Sequence, residues 1–157
     1  MVTRSLVQQL EGIVGRNGVL TSPAELCVYG YDGSIERRQP DVVVLPTTTE
    51  QVAAVMRAAS TAGVPVTVRG AGTGVSGGSV PVAGGIVLGT ARMKRILEIN
   101  ADDRYAVVEP GVINIDVSAA AARYGLAYVP DPSSQTVSTI GGNVAENAGG
   151  PHCLAYG

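Results

Sequence analysis

Two kinds of hydrophobic pattern alternate along the first half of the chain. Residues 41–46 (DVVVLP) form a short apolar run closed by proline, which is typical of a buried strand. The next segment places apolar residues on one helical face, and Thr48 with Gln51 matches a capping box at its start. A second apolar strand is predicted at 64–68 (VPVTV). Residues 41–68 therefore predict a β-α-β unit with parallel strands.

Shorter elements are predicted on both sides of this unit. The N-terminal pattern indicates an amphipathic helix that ends near Gly15 or Gly18, and residues 84–90 indicate a third strand. Residues 95–100 (RILEIN) and 104–111 (RYAVVEPG) lie on either side of a polar turn, Ala101-Asp102-Asp103. They predict a pair of adjacent strands.

Two further helices are predicted in the last third of the chain. Asn114 is expected to cap a helix that runs to Tyr124 and stops at Gly125. A shorter helix is expected to start after Ser138 or Thr139. The element order predicts an α+β fold of two small lobes, in which a β-α-β-β lobe is followed by a mixed sheet with helices.

Composition and charge exclude several classes of partner. The chain has 157 residues, 45% hydrophobic and 15% charged, so a folded domain with its own core is expected. The net charge of −2 argues against nucleic acid or an anionic membrane as a partner. No apolar run reaches the roughly 20 residues that a transmembrane segment needs. A cytoplasmic location is expected, with Cys27 and Cys153 as reduced thiols.

The glycine-rich residues 68–79 (VRGAGTGVSGGS) raise the question of dinucleotide binding, because 72–77 match G-x-G-x-x-G. A Rossmann unit requires a helix directly after the glycines and an acidic residue after the next strand. Here the segment after Gly77 (GSVPVAGG) contains a proline and several glycines, which disfavour a helix. No carboxylate ends the strand at 84–90. No Gly-Lys-Ser/Thr of a Walker A loop follows either. We interpret the match as coincidental.

The glycines nevertheless predict a phosphate site of another kind. Glycine has no Cβ to block a ligand, and successive backbone N–H groups form an anion-binding nest. A second tract at 138–150 (STIGGNVAENAGG) combines glycines with amide and hydroxyl side chains that suit a flat hydrogen-bonding ring. Two such tracts fit a long ligand with a diphosphate and a ring at one end. The residues alone leave flavin dinucleotide and NAD as alternatives.

A family resemblance is carried by five segments in order, namely DVVVLPTTTEQV, VRGAGTGVSGG, VVEPGV, PDPSSQTVSTIGGNVAENAGG and PHCLAYG. The chain resembles the FAD-binding PCMH-type domain of the vanillyl-alcohol oxidase superfamily. Within it, the chain is most similar to the branch of the glycolate oxidase FAD subunit and the FAD-linked D-lactate dehydrogenases. The resemblance implies an N-terminal helix and extended arm at 1–40 and the FAD-binding domain at 41–157. That domain is expected to be truncated at its C-terminus and to lack the substrate domain.

The resemblance also implies which residues bind FAD. The first glycine loop would hold the diphosphate, and later segments would line the path of the cofactor and border its flavin ring. Thr73 stands where some relatives carry a histidine that tethers FAD, so non-covalent FAD is expected, and no metal site is expected. The implied cofactor-binding residues are Gly70, Ala71, Gly72, Thr73, Gly74, Pro130, Asp131, Pro132, Ser133, Ser138, Thr139, Gly141, Gly142, Asn143, Asn147, Ala148 and Gly149.

Several polar side chains admit two interpretations. His152 is expected to be a loop histidine that packs or bonds backbone rather than a general base, and Cys153 a buried small residue rather than a nucleophile. Arg69 fits either a phosphate contact or a pairing with an acidic residue. Tyr29, Tyr31 and Asp32 are expected to hold the N-terminal arm in place rather than to contact a ligand.

The leading hypothesis implied by the resemblance is the FAD-binding part of an enzyme that oxidises a D-2-hydroxy acid by hydride transfer to flavin. The partners would be a small-molecule 2-hydroxy acid of the glycolate or D-lactate class and the other subunits of a glycolate oxidase complex. Those subunits could hold it at the inner membrane. Alternatives are an alditol oxidase, an alkyl-dihydroxyacetonephosphate synthase, a UDP-sugar enolpyruvyl reductase or a non-catalytic nucleotide-binding fragment. The chain alone is expected to be inactive.

Overall fold

The structure is a computed structural model that describes residues 2–156. Met1 and Gly157, at which the predicted arm begins and the predicted domain ends, lie outside the described residues. The chain divides into two compact units, the first ending at Arg92 and the second beginning at Met93.

Three α-helices and four strands make up the first unit, as far as its described residues go. Short 3-10 turns follow the first two helices at Arg16–Gly18 and Cys27–Tyr29. The elements are α1 (Arg4–Val14), β1 (Val19–Leu20), α2 (Pro23–Leu26), β2 (Val42–Val44), α3 (Thr49–Ala62), β3 (Val66–Arg69) and β4 (Ile86–Gly89).

The four strands form one sheet in the order β1-β2-β4-β3. Strands β2, β4 and β3 are parallel, whereas β1 is antiparallel to β2. The predicted β-α-β unit is confirmed as two parallel strands joined by a helix. Those strands are not neighbours, however, because β4 lies between them and its Ile86 pairs with both Val42 and Val66.

Both faces of this sheet are covered, which explains why β2 and β4 read as continuous apolar runs rather than alternating ones. Alternate residues separate into two apolar clusters because successive side chains of a strand point to opposite faces. The first cluster brings the strands together with α1 and α3, through Val42, Val44, Ile86, Leu88, Leu6, Leu10 and Val55. The second contains Val43, Val87 and Leu26.

The start of α3 confirms half of the predicted capping box. The N–H of Gln51 donates to the Thr48 side-chain oxygen at 3.2 Å. The Gln51 side chain reaches back one residue further than the motif requires, where its oxygen accepts from the N–H of Thr47 at 2.7 Å. At the other end, Gly63 adopts the left-handed conformation that ends the helix.

A β-hairpin and three helices make up the second unit, within its described residues. The antiparallel pair confirms the strand pair predicted on either side of the polar turn. A 3-10 turn at Ala122–Tyr124 extends the first of the helices. The elements are β5 (Ile96–Asn100), β6 (Tyr105–Val108), α4 (Asn114–Ala121), α5 (Ile140–Glu146) and α6 (Cys153–Tyr156).

The prediction that Asn114 caps α4 is wrong. Ile113 occupies the cap position, and no side chain caps the helix there. Asn114 is the first helical residue and is almost completely buried. Its amide donates to the carbonyl of Pro130 at 3.0 Å, and its backbone N–H donates to the carbonyl of Ser138 at 2.9 Å. Asn114 therefore connects the start of α4 to two loops, through its side chain to one and through its backbone to the other.

Candidate functional site

A glycine loop follows the carboxyl end of β3 in the first unit. Gly72 and Gly77 have φ values of +72° and +80°, a region that side chains with a Cβ rarely adopt. The carbonyl of Gly74 accepts from the N–H of Gly33 at 2.8 Å, which anchors the loop to the N-terminal arm. Within the described chain, the backbone N–H groups of residues 71–74 donate to no protein acceptor. The loop thus leaves several donors available to an anion.

The guanidinium of Arg69 packs directly against this loop. A Cβ placed on Gly72 would overlap the guanidinium nitrogens, so only glycine allows this approach. Arg69 is buried, and its Nη1 donates to the carbonyl of Tyr31 at 2.6 Å and to the Ser79 hydroxyl at 3.3 Å. Burial lowers the pKa of the guanidinium, and the nearby Asp32 carboxylate opposes that shift. A buried positive charge therefore lies against the glycine backbone, where it favours an anion.

Asp32 connects the arm to the far end of the loop. One carboxylate oxygen accepts from the N–H of Ser34 at 2.8 Å, and the other accepts from the hydroxyl of Ser79 at 3.4 Å. Burial raises the pKa of this carboxyl, but the hydrogen bonds from Ser34 and Ser79 outweigh it and hold the pKa below its usual value. The expectation that Tyr31 and Asp32 hold the arm in place is confirmed.

In the second unit, backbone hydrogen bonds connect three predicted site segments. The N–H of Asp131 donates to the carbonyl of Gly149 at 3.1 Å, and the N–H of Ala148 donates to the carbonyl of Asn143 at 2.8 Å. Gly150 has a φ of +75°, and a Cβ there would overlap the backbone of Asp131 and Pro132. These contacts join residues 130–132 to 149–150 so closely that no side chain fits between them.

Four polar side-chain atoms of this region are buried without a hydrogen-bond partner among the described residues. Buried polar atoms are normally paired, so unpaired acceptors and donors mark a place where a polar ligand group fits. Two belong to hydroxyls, one to an amide and one to a carboxylate, which together offer both donors and acceptors. The atoms are Ser138 Oγ, Thr139 Oγ1, Asn143 Nδ2 and Asp131 Oδ1.

His152 forms a hydrogen bond to a side chain rather than the expected bond to backbone. Its Nδ1 lies 2.9 Å from Asp131 Oδ2, and its side chain is 60% exposed. This hydrogen bond holds the pKa of the Asp131 carboxyl below its usual value, so the carboxylate is the acceptor and Nδ1 carries the proton. The expected burial of Cys153 is also wrong, because it is an exposed free thiol, as is Cys27.

Three contacts of the site were missed by sequence reasoning, although their residues had been singled out. Arg69 bonds to the carbonyl of Tyr31, Asn114 to that of Pro130, and His152 to the carboxylate of Asp131, and each contact joins residues far apart in the sequence. The role of each implied residue in binding remains a prediction.

A scan against protein-family models matches residues 40–157 to the family described as "FAD binding domain". This match covers most of the chain. The chain belongs to the FAD-binding domain family. FAD is thereby its cofactor, and of the two alternatives that the glycine tracts alone left open, this match supports FAD.

Curated relatives of this FAD-binding domain agree with the assignment. The chain is 51% identical over 140 residues to the glycolate oxidase subunit GlcD of Escherichia coli, covering 88% of the chain and 28% of that protein. It is 46% identical over 116 residues to the D-lactate dehydrogenase of Archaeoglobus fulgidus, covering 74% of the chain and 26% of that protein. The chain therefore spans little more than a quarter of the length of these relatives.

Solved structures confirm the predicted fold class. An alkyldihydroxyacetonephosphate synthase structure matches with a TM-score of 0.90 and 20% sequence identity, covering 100% of the chain and 31% of the matched structure. At this identity the likeness concerns the fold alone. The α+β prediction of a PCMH-type FAD-binding fold is confirmed.

The residues present fit an FAD group. In the first unit, a loop with available N–H donors and a buried cation suits a diphosphate. In the second unit, unpaired hydroxyl, amide and carboxylate atoms suit the hydroxyls and heteroatoms of a flavin nucleotide. Among the helices formed by residues 2–156, none has the length and apolar character to span a membrane.

Proposed function

We propose that this chain is the FAD-binding part of a flavin-dependent oxidoreductase that oxidises a D-2-hydroxy acid of the glycolate or D-lactate class. The similarity that supports this most strongly is the 51% identity to a glycolate oxidase subunit over 140 residues. The relative named D-lactate dehydrogenase, at 46% identity, supports the same substrate class. Residues 1–40 would form the N-terminal helix and arm, and 41–157 the FAD-binding domain.

The chain's own residues would bind and orient the cofactor. The backbone N–H groups at 70–74 would hold the diphosphate, and the Arg69 guanidinium beneath them would stabilise its charge. Residues at 130–133, 138–143 and 147–149 would bind the remainder through the unpaired Ser138, Thr139 and Asn143 atoms. When bound, FAD supplies the acceptor for a hydride equivalent from the α-carbon of the substrate.

The substrate class is tested with the FAD-loaded holoenzyme that contains this chain. Candidate substrates are added in the absence of oxygen, and reduction of the flavin is followed. We expect D-lactate or glycolate to bleach the visible flavin absorbance, whereas L-lactate, the mirror-image control, does so far more slowly. An alditol serves as the second control, because it carries hydroxyls without the carboxylate. Bleaching by the alditol but by no 2-hydroxy acid would contradict the proposed substrate class.

The alternative functions have weaker support. The likeness to an alkyldihydroxyacetonephosphate synthase structure is a likeness of fold at 20% identity, and one fold serves many substrates. No contact of the described residues favours a sugar or alditol substrate. A non-catalytic nucleotide-binding role would predict binding of FAD without reduction by any hydroxy acid.

The proposal extends to partners and location. The relative from Escherichia coli is named as a subunit, so we propose that this chain also works with other subunits of a glycolate oxidase complex. A cytoplasmic location, peripheral to the inner membrane through those subunits, accompanies that proposal. Co-purification of a tagged holoenzyme with further subunits is the expected result.

A further inference from the structure

The two oxygens of the Asp131 carboxylate have different surroundings. Oδ2 accepts from His152 Nδ1 at 2.9 Å. Oδ1 is buried and has no hydrogen-bond partner among residues 2–156. Leaving a charged acceptor unpaired in a buried position is unfavourable, because the carboxylate loses hydration and gains nothing in return. Oδ1 therefore marks a position at which a donor from outside the protein would be stabilised.

The backbone that carries this carboxylate is held on several sides. Pro132 follows Asp131 directly, and a proline restricts the backbone conformation of the residue before it. The Asp131 N–H is bonded to the Gly149 carbonyl, and Gly150 packs against the Asp131 backbone. With the backbone fixed, rotation of the side chain is the main freedom that remains.

The His152 imidazole removes that freedom. Its hydrogen bond to Oδ2 fixes the plane of the carboxylate, so the direction of Oδ1 is fixed at the same time. The imidazole side chain is itself 60% exposed, so most of its surface is not packed against the protein. The side-chain contact that it makes in the described structure is the hydrogen bond to Asp131.

We propose that His152 is a positioning residue for the cofactor: it orients Asp131 so that Oδ1 accepts a hydrogen bond from a hydroxyl or N–H group of bound FAD. This inference rests on the proposed function as an FAD-binding chain. It assigns His152 a role distinct from both earlier interpretations, the general base and the passive loop residue.

The experiment compares three variants of the 157-residue chain. His152→Ala removes the bond to Asp131. His152→Asn keeps a donor, because the asparagine amide nitrogen reaches nearly the same place as the imidazole Nδ1. Cys153→Ala is the matched control, since it changes the exposed neighbouring residue and leaves the pair intact. FAD dissociation constants are measured by flavin fluorescence, together with the visible circular dichroism of bound FAD and the Tm without FAD.

We expect His152→Ala to weaken FAD binding about tenfold and to change the visible dichroism of the flavin. His152→Asn is expected to restore most of the affinity, and Cys153→Ala to match the parent chain. The Tm without FAD should stay close to that of the parent in all three variants.

Two results would overturn the inference while leaving the proposed function intact. One is unchanged affinity in His152→Ala. The other is equal weakening in His152→Ala and His152→Asn with a lowered Tm in both, which would indicate a general structural role. Absence of FAD binding by the parent chain would instead contradict the proposed function itself.

Discussion

Replacing Gly72 with alanine is expected to weaken FAD binding by about tenfold or more. Two effects combine. Alanine at a φ of +72° is strained by about 1–2 kcal/mol. The new methyl group would also overlap the Arg69 guanidinium, which must move away from Tyr31 and Ser79. The displaced cation no longer lies beneath the loop that we propose holds the diphosphate.

Gly77→Ala is the matched control for this variant. Gly77 lies in the same loop with a φ of +80°, so it suffers the same backbone strain. Its added Cβ would lie 3.5 Å from Glu36 Cγ, which is ordinary contact distance. FAD titrations of both variants should give a clearly larger dissociation constant for Gly72→Ala. Equal dissociation constants would contradict the role assigned to Arg69 and Gly72.

Gly150→Ala is expected to have the second large effect, on stability and FAD binding together. The alanine methyl would overlap the backbone of Asp131 and Pro132, and backbone cannot rotate aside as a side chain does. The overlap should lower the free energy of unfolding by about 2–3 kcal/mol, in addition to the loss caused by backbone strain at a positive φ. In a chain of this length, that corresponds to a Tm lower by roughly 4–12 °C. FAD binding should be lost as Asp131 is displaced.

The control for that variant is Gly125→Ala. Gly125 ends the 3-10 turn after α4 with a φ of +69°, and a Cβ there would meet no atom within 4 Å. It therefore carries the strain of a positive φ without the overlap. Thermal melts should place the Tm of Gly125→Ala between those of the parent chain and Gly150→Ala, and FAD titrations should give it an affinity close to that of the parent chain. A Tm for Gly150→Ala equal to that of Gly125→Ala would show that residues 130–132 do not pack on Gly150 as described.

The elements near residues 41–69 were predictable because their signals are local. An apolar run closed by proline, a capping threonine and a terminal glycine each act within a few residues. The order of the strands was not predictable in this way. Strand β4 lies between β2 and β3 and pairs with both. Such pairing depends on residues far apart in the sequence, so local patterns do not reveal it.

The candidate site likewise combines features with local sequence signals, which were predictable, and contacts between distant residues, which were not. The glycine loop is one contiguous segment, so its residues and composition could be recognised together. Arg69 bonds to a carbonyl 38 residues earlier, and His152 pairs with a carboxylate 21 residues earlier. Asn114 looked like a helix cap by its position, yet its amide donates to the carbonyl of Pro130, 16 residues later. Tertiary partners decided these roles, and sequence spacing does not reveal them.

The central claim is that this chain holds FAD without a covalent bond, and the visible absorption spectrum of the purified, desalted chain tests it most directly. We predict a flavin spectrum, with the yellow colour released into solution by acid precipitation, because Thr73 offers no histidine for a covalent link. Colour that stays in the acid pellet would contradict non-covalent binding. A folded, colourless chain that takes up no added FAD would contradict the assignment of these segments as an FAD site.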